Sequence, residues 1–265
     1  EAAQFLKPNE KDKNVSPEEL VAYALSKGSL GFVGADGTPD LLKQFLSNGF
    51  PVIVEFWTER DDAGGMGHYR LLTGYDATSN EFIAQDSLHG ANIRVPIENF
   101  DTDWQVFNRT YLVAFPPERA PVAYTIAGPT AINPTMYRQA LTTAQAEAQR
   151  QPENPFAWFN IGTNYARLGE TELAAGAFDE ARRLGLPYRM LWYQFDIFDV
   201  YLAQERHREL VELTTAVLEA TSGLEELYYY RGLAYRALGD EEAARKDFQA
   251  ALDYNPTFEP ARAGL

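Results

Sequence analysis

The sequence predicts an α+β domain followed by an all-helical domain built from repeats. In the first half, two helical patterns precede several β-branched and aromatic segments separated by turn residues, as expected of helices packed on an antiparallel sheet. In the second half the strand pattern disappears, and small and aromatic residues recur at a fixed offset. A chain of 265 residues agrees with two domains, since domains average about 150 residues.

The boundary between the two patterns is a proline-rich stretch at residues 116–121. Proline clusters end regular elements and are common between domains. We therefore predict a first domain at residues 1–120 and a second at residues 121–265.

Two helices are predicted from their N-terminal signals. Residues 16–19 supply a serine cap, a proline at the first helical position and two acids in the first turn, and this helix ends near Gly28. Residues 38–40 begin a second helix, which stops at the Asn-Gly pair 48–49.

Strands are predicted from β-branched and aromatic runs bounded by turn residues. The segments are 51–57, 68–75, 81–86, 94–97 and 110–115. Residues 76–80 read as a turn, so the second and third strands should form an antiparallel hairpin. The start of one strand and the end of the next would then lie at the same end of the sheet.

The second half contains a pattern that repeats after 70 residues. The first copy is Trp158, Ile161, Gly162, Tyr165, Gly169, Ala174, Phe178 and Ala181, and the second is Tyr228, Arg231, Gly232, Tyr235, Gly239, Ala244, Phe248 and Ala251. A degraded copy that begins at Leu191 lies between them. We predict repeats near 155–188, 191–224 and 225–258, preceded by the helix of a half-repeat.

Composition narrows the possible partners and cofactors. With 38 acidic and 23 basic residues the formal net charge is −15, which disfavours binding to nucleic-acid phosphates. No apolar run approaches the ~20 residues of a membrane span. The sequence has no cysteine, which excludes disulfides, thiolate zinc sites and a thiol nucleophile within these residues. Glycine-rich phosphate loops are also absent, and we expect no cofactor.

Candidate catalytic residues begin with the three histidines. His207 lies in a charged turn and His89 in a loop, where surface roles are expected. His68 begins a predicted strand, and Asp86 ends the next one. An imidazole held by a carboxylate can act as a general base, although a structural histidine at a strand start is an equally open interpretation.

Other chemistries fit the sequence poorly. A serine nucleophile in a Gly-x-Ser-x-Gly turn is not found, because Ser29 has the wrong glycine spacing. A metal site formed by His68, Asp86 and His89 would match no established spacing and would lack a fourth ligand.

These segments carry a family resemblance. Residues 67–76 and 82–87 resemble the His and Asp segments of C39-like, papain-fold cysteine peptidases, and the repeats resemble tetratricopeptide repeats. Segments at 5–9, 13–17, 107–111 and 192–195 resemble bacterial proteins that join the two. The resemblance implies an α+β papain-like domain followed by an all-α tetratricopeptide solenoid.

The resemblance also implies roles and a function. His68 would be the general base and Asp86 would orient it, while the family's Cys nucleophile and oxyanion-hole Gln are expected N-terminal to Glu1. We therefore expect a cysteine-protease-type, peptidase-like hydrolase domain coupled to peptide-binding repeats, inactive in this chain for want of the Cys. The alternative is a non-catalytic scaffold whose repeats bind a protein partner. A bacterial cell-envelope or secreted location is favoured by resemblance only.

The repeat helices predict a groove for an extended peptide or a protein partner. Residues expected to face it are Trp158, Asn160, Thr163, Asn164, Arg167, Tyr229 and Arg236. The alternative is that these polar side chains are only solvated.

Overall fold

The structure is a computed structural model that describes residues 2–7, 9, 14–58, 65–128, 134–221 and 223–265. Its first half contains α1 (Ala2–Leu6), α2 (Pro17–Ser26), β1 (Leu30–Gly34), α3 (Pro39–Ser47), β2 (Val52–Thr58), β3 (Met66–Asp76), β4 (Glu81–Asp86), β5 (Gly90–Pro96), α4 (Ile97–Gln105), β6 (Tyr111–Phe115) and α5 (Ala120–Ala127). Its second half contains α6 (Thr135–Arg150), α7 (Pro155–Arg167), α8 (Thr171–Arg183), α9 (Asp196–Ala203), α10 (His207–Ala220), α11 (Glu225–Ala237), α12 (Glu241–Tyr254) and α13 (Glu259–Gly264). The predicted fold class, helices on an antiparallel sheet and then a helical repeat region, is confirmed.

Both helices predicted in the first half begin at their expected caps. The Ser16 hydroxyl accepts from the Glu19 backbone N–H at 3.2 Å, and the Glu19 carboxylate accepts from the Ser16 N–H at 2.7 Å. The Thr38 hydroxyl accepts from the Leu41 N–H at 3.1 Å. These bonds satisfy N–H groups that a helix leaves unpaired at its start, which fixes where each helix begins.

The sheet has six antiparallel strands in the order β1-β6-β2-β3-β4-β5. The sequence pattern missed β1, because two of its five residues are glycines and weaken the strand signal. Pairing with β6 forms this strand nevertheless. Gly34 is required there, since a Cβ atom would overlap the ring of Tyr111.

Helix α4 was also missed, because acidic and polar residues outnumber apolar ones in it. Ile97, Phe100 and Trp104 nevertheless lie on one buried face of that helix. Phe100 packs edge-on against Phe82 of β4, with ring centroids 5.1 Å apart. Tertiary packing of these three side chains therefore decides the helix.

The first structural unit extends beyond the predicted boundary at residue 120. Residues Pro117–Arg119 form a 3-10 turn that leads directly into α5. Ala123 and Ala127 of α5 lie in the same core as Phe32 of β1 and Phe45 of α3. The proline-rich stretch is therefore a turn within the unit, because the apolar face of α5 needs the first core for burial.

The second half is built from helices that pack in pairs. Gly162 of α7 faces the ring of Phe178, where a Cβ atom would come within 2.5 Å, and Gly232 of α11 faces Phe248 in the same way at 2.7 Å. The middle copy is shorter in its first helix, because a 3-10 turn at Tyr188–Trp192 precedes the eight-residue α9. In the described part of the chain, no helix has the length and apolarity that crossing a bilayer needs.

The interface between the two halves, which we call the seam, contains a cluster of aromatic side chains. Trp57 of β2 and Phe107, which follows α4, belong to the same hydrophobic core as the first repeats. Trp57 lies against Phe156 with ring centroids 5.6 Å apart, and Phe107 lies against Tyr193 at 6.1 Å. The repeats therefore pack directly on the sheet domain.

Candidate functional site

His68 and Asp86 meet at one end of the β3–β4 hairpin. Strands β3 and β4 pair antiparallel, which places the start of β3 beside the end of β4. The Nε2 atom of His68 lies 2.9 Å from Oδ1 of Asp86. The side chain of Asp86 is fully buried and that of His68 is 13% exposed. No described residue forms a hydrogen bond with Nδ1 of His68.

Asp86 accepts hydrogen bonds from four further groups. Nε of Arg70 is 2.7 Å from Oδ2, and Nδ1 of His89 is 3.1 Å from the same oxygen. The backbone N–H groups of Leu88 and His89 donate to Oδ1 at 2.7 and 3.0 Å. Burial alone would raise the pKa of Asp86, but the bonds from Arg70, His68 and His89 outweigh it and hold the pKa well below its usual range. The carboxylate is therefore charged and fixed in position.

The ring of Phe56 packs against both His68 and Arg70. Phe56 of β2 lies edge-on to the His68 ring, with centroids 5.5 Å apart, and the Arg70 guanidinium lies 3.9 Å above the Phe56 ring. Sequence reasoning did not identify Arg70. The signal was present, because Arg70 stands two residues after His68 and a strand places such residues on the same face.

The arrangement can polarise an imidazole but contains no nucleophile for it to activate. A carboxylate bonded to one ring nitrogen fixes the orientation of the imidazole of His68. The sequence has no cysteine. The described residues also contain no group of three or more His, Asp or Glu side chains placed to hold a metal ion.

The repeat residues expected to be exposed in a groove divide into three groups, and the first is buried. Asn160 and Asn164 of α7 are 3% and 0% exposed. Asn160 donates to the Gln105 carbonyl at 2.7 Å, and Asn164 and Asn108 exchange two amide hydrogen bonds at 2.8 and 3.1 Å. The expectation of groove exposure is wrong for these two residues, because the sheet domain covers this face of α7.

Tyr229 and Arg236 lie in the last repeat. Tyr229 packs against Phe248 and Phe258, and Arg236 donates to the backbone carbonyl of Gly264. These contacts hold α13 against the repeat. A peptide-binding role for either residue stays a prediction.

Thr163 and Arg167 line a crevice between the two halves. A cavity of about 140 Å³ lies there, bounded on the sheet-domain side by the start of α2, the end of β1 and the loop before β6, and on the repeat side by α6, α7 and α9. Arg167 forms an ion pair with Asp196 at 2.9 Å. Residues from both halves thus form one concave site, and none of the three histidines lines it.

A buried carboxyl group lies on the sheet near this crevice. Glu55 of β2 is 2% exposed, and its Oε2 atom has no hydrogen-bond partner among the described residues. Burial, with a smaller contribution from the charge of Glu18, raises the pKa of Glu55 to about 8. The sequence pattern placed Glu55 within a buried strand but did not indicate that its pKa would be raised.

Comparisons with known protein families match two separate parts of the chain. Residues 16–112 match the model of the Peptidase_C39 like family, and residues 225–258 match that of the tetratricopeptide repeat. No curated protein matches the chain.

Solved structures resemble part of the chain. MamA from Desulfovibrio magneticus RS-1 is 24% identical with a TM-score of 0.42, over 46% of this chain and 67% of that one. A second structure of MamA is 14% identical with a TM-score of 0.44, over 48% and 74% of the two chains. YrrB, described as a TPR protein with an unusual peptide-binding site, is 17% identical with a TM-score of 0.27, over 48% and 82%. The first half of this chain is thus similar to the Peptidase_C39 like family, and residues 225–258 are similar to a tetratricopeptide repeat.

Proposed function

We propose that this chain is a peptide- or protein-binding module in which the C39-like domain forms part of the binding surface and does not hydrolyse a substrate. The observation that carries the proposal is an ordered His68–Asp86 pair in a sequence without any cysteine. His68 has no thiol to deprotonate within these residues. In this proposal the pair stabilises the local structure and takes no part in hydrolysis. The repeat half indicates peptide or protein partners.

The crevice supports a binding role. Repeat helices expose polar side chains that bind extended peptides through backbone contacts. Here one such helix, α7, supplies Thr163 and Arg167 to a cavity whose opposite wall is the C39-like domain. The seam between the halves, including the Asn108–Asn164 pair, holds those walls in fixed relative positions.

A peptide-display library selected against the immobilised chain tests this function. Enriched peptides should bind the wild type and His68→Gln equally, since glutamine can still donate to Asp86. They should bind Thr163→Val more weakly, because Thr163 lines the crevice, whereas Thr142→Val, at an exposed position of α6, should match the wild type. Failure to enrich any peptide, or hydrolysis of a fluorogenic peptide mixture that depends on His68, would contradict the proposal.

A second candidate function is thiol-dependent hydrolysis with a cysteine supplied from outside these 265 residues. The observation that favours it is the contact from Nε2 of His68 to Asp86, which leaves Nδ1 to take the proton of a thiol. The resulting thiolate would attack a carbonyl carbon.

A thiol-directed covalent probe applied to the full-length natural protein tests this second function. Labelling at near-neutral pH should be fast and should slow in His68→Gln. Absence of labelling, or labelling that is independent of His68, would refute it.

A further inference from the structure

The crevice between the two halves has the size of a small organic group. Its volume is about 140 Å³. Engineered protein cavities of about 150 Å³ bind benzene, which has a comparable number of atoms to an alkylammonium group of four carbons. Its walls come from both halves, so a bound group would contact the C39-like domain and the repeats together.

The charges around the crevice are predominantly negative. Three carboxylates, Glu18, Asp196 and Asp199, line it together with one cation, Arg167. Arg167 pairs with Asp196 at 2.9 Å. Glu18 and Asp199 form no ion pair with a described residue, and Asp199 accepts only the Tyr230 hydroxyl, at 2.9 Å, on one oxygen. The charge of Arg167 also acts on Glu18 and Asp199 at longer range, but neither carboxylate has a cation within ion-pair distance among the described residues.

An unpaired buried hydroxyl lies in the same wall. Thr163 is 7% exposed, and its Oγ1 has no hydrogen-bond partner among the described residues. Its helix neighbours Asn160 and Asn164 are bonded to the C39-like domain. A buried hydroxyl without a partner lowers stability, so a ligand that donates a hydrogen bond to it would recover free energy.

We propose that this crevice binds a primary ammonium group, carried by a lysine side chain or by the N-terminus of a peptide. An ammonium has three N–H donors, which match the Thr163 hydroxyl and the carboxylates of Asp199 and Glu18. A metal ion fits less well, because the described residues contain no group of three ligating side chains placed for one. Burial, opposed by Arg167 and reinforced by Asp199 and Glu18, raises the pKa of Asp196, and a bound cation would relieve this.

The inference rests on the proposed peptide-binding function and specifies the chemistry of the ligand. NMR titration of the full chain with three probes tests it. Nα-acetyl-lysine N-methylamide presents a side-chain ammonium, glycine N-methylamide presents an α-ammonium, and Nα-acetyl-norleucine N-methylamide is the uncharged match of the first. We expect at least one ammonium probe to shift the Thr163 amide signal, and the better one identifies the source. Equal binding of the norleucine probe, or no shift with either ammonium, overturns the proposal.

Variants locate the site. Asp199→Asn and Thr163→Val should each weaken the preferred ammonium probe by about three- to tenfold, the range for one partly exposed charged or hydrogen-bonded contact. Glu219→Gln makes the same charge change on the exposed face of α10 and should leave binding unchanged. Wild-type affinity in both crevice variants, with native circular dichroism, overturns the assignment.

The two proposals fail differently. Enriched library peptides that bind equally well after their ammonium groups are acetylated would remove the ammonium site and keep the binding function. Binding of an ammonium probe without any enriched peptide would remove the peptide-binding function and keep the site.

Discussion

The wild type should lose stability as pH rises, because of the buried carboxyl of Glu55. Replacing Glu55 by glutamine should abolish this loss. The Glu55 carboxyl is buried, and its pKa is raised from an ordinary 4.5 to about 8. Between those values the folded protein holds a proton that the unfolded chain has released. Unfolding then releases that proton, so the free energy of unfolding falls as pH increases.

The size of the effect follows from the pKa difference. Each pH unit inside the window costs about 1.4 kcal/mol, so the wild type should lose about 3 kcal/mol relative to Glu55→Gln between about pH 5 and about pH 7. Above about pH 8 the two curves should run parallel, because Glu55 is then ionised in both states. Comparing the two proteins cancels the histidines and other groups that titrate in the same range.

Urea denaturation followed by tryptophan fluorescence, at several pH values, measures this difference. Glu219→Gln removes an exposed carboxylate and serves as the control, with a pH dependence like that of the wild type. If Glu55→Gln shows the wild-type pH dependence, Glu55 is ionised in the folded state and the reasoning from burial is refuted.

Three further predictions concern a buried ion pair, a buried amide pair and a close helix contact, and chemical denaturation measures each of them. Asp86→Asn should destabilise the fold by about 3–5 kcal/mol because it leaves a largely buried guanidinium without its counter-charge, and a loss below about 1 kcal/mol would contradict this. Asn164→Ala should cost about 2–4 kcal/mol, since it removes two hydrogen bonds and leaves a partner amide unsatisfied at the domain seam, and an unchanged unfolding midpoint would argue against that role. Gly162→Ala should cost about 1–3 kcal/mol through overlap with an aromatic ring, whereas Gly176→Ala, whose Cβ meets nothing within 4 Å, should stabilise its helix by about 0.5–1 kcal/mol; equal effects would refute the close-packing argument.

Local patterns in the sequence were sufficient for several parts of the fold. The Ser16 and Thr38 caps fix the starts of two helices, because each cap depends on residues at most three positions away. The hairpin predicts that His68 and Asp86 lie at the same end of the sheet, because the turn at 76–80 sets the strand direction. The structure places their side chains 2.9 Å apart.

Other features escaped the sequence because distant contacts create them. Strand β1 contains two glycines, and its hydrogen bonds come from β6, about 80 residues later in the chain. Helix α5 belongs to the first core only because Ala123 and Ala127 pack there, beyond the proline-rich stretch that resembles a linker. Neither effect has a local signal.

By itself, the sequence determined the two fold classes and the absence of a thiol within these residues, since periodicity, capping and composition are local or additive properties. Only the tertiary structure decided which polar residues of α7 are available to a ligand. Asn160 and Asn164 are occupied by partners 55 and 56 residues away, while Thr163 lines the crevice and its hydroxyl has no partner among the described residues. The physical reason is that one turn of helix presents neighbouring residues to different surroundings, and those surroundings exist only after the two halves have packed together.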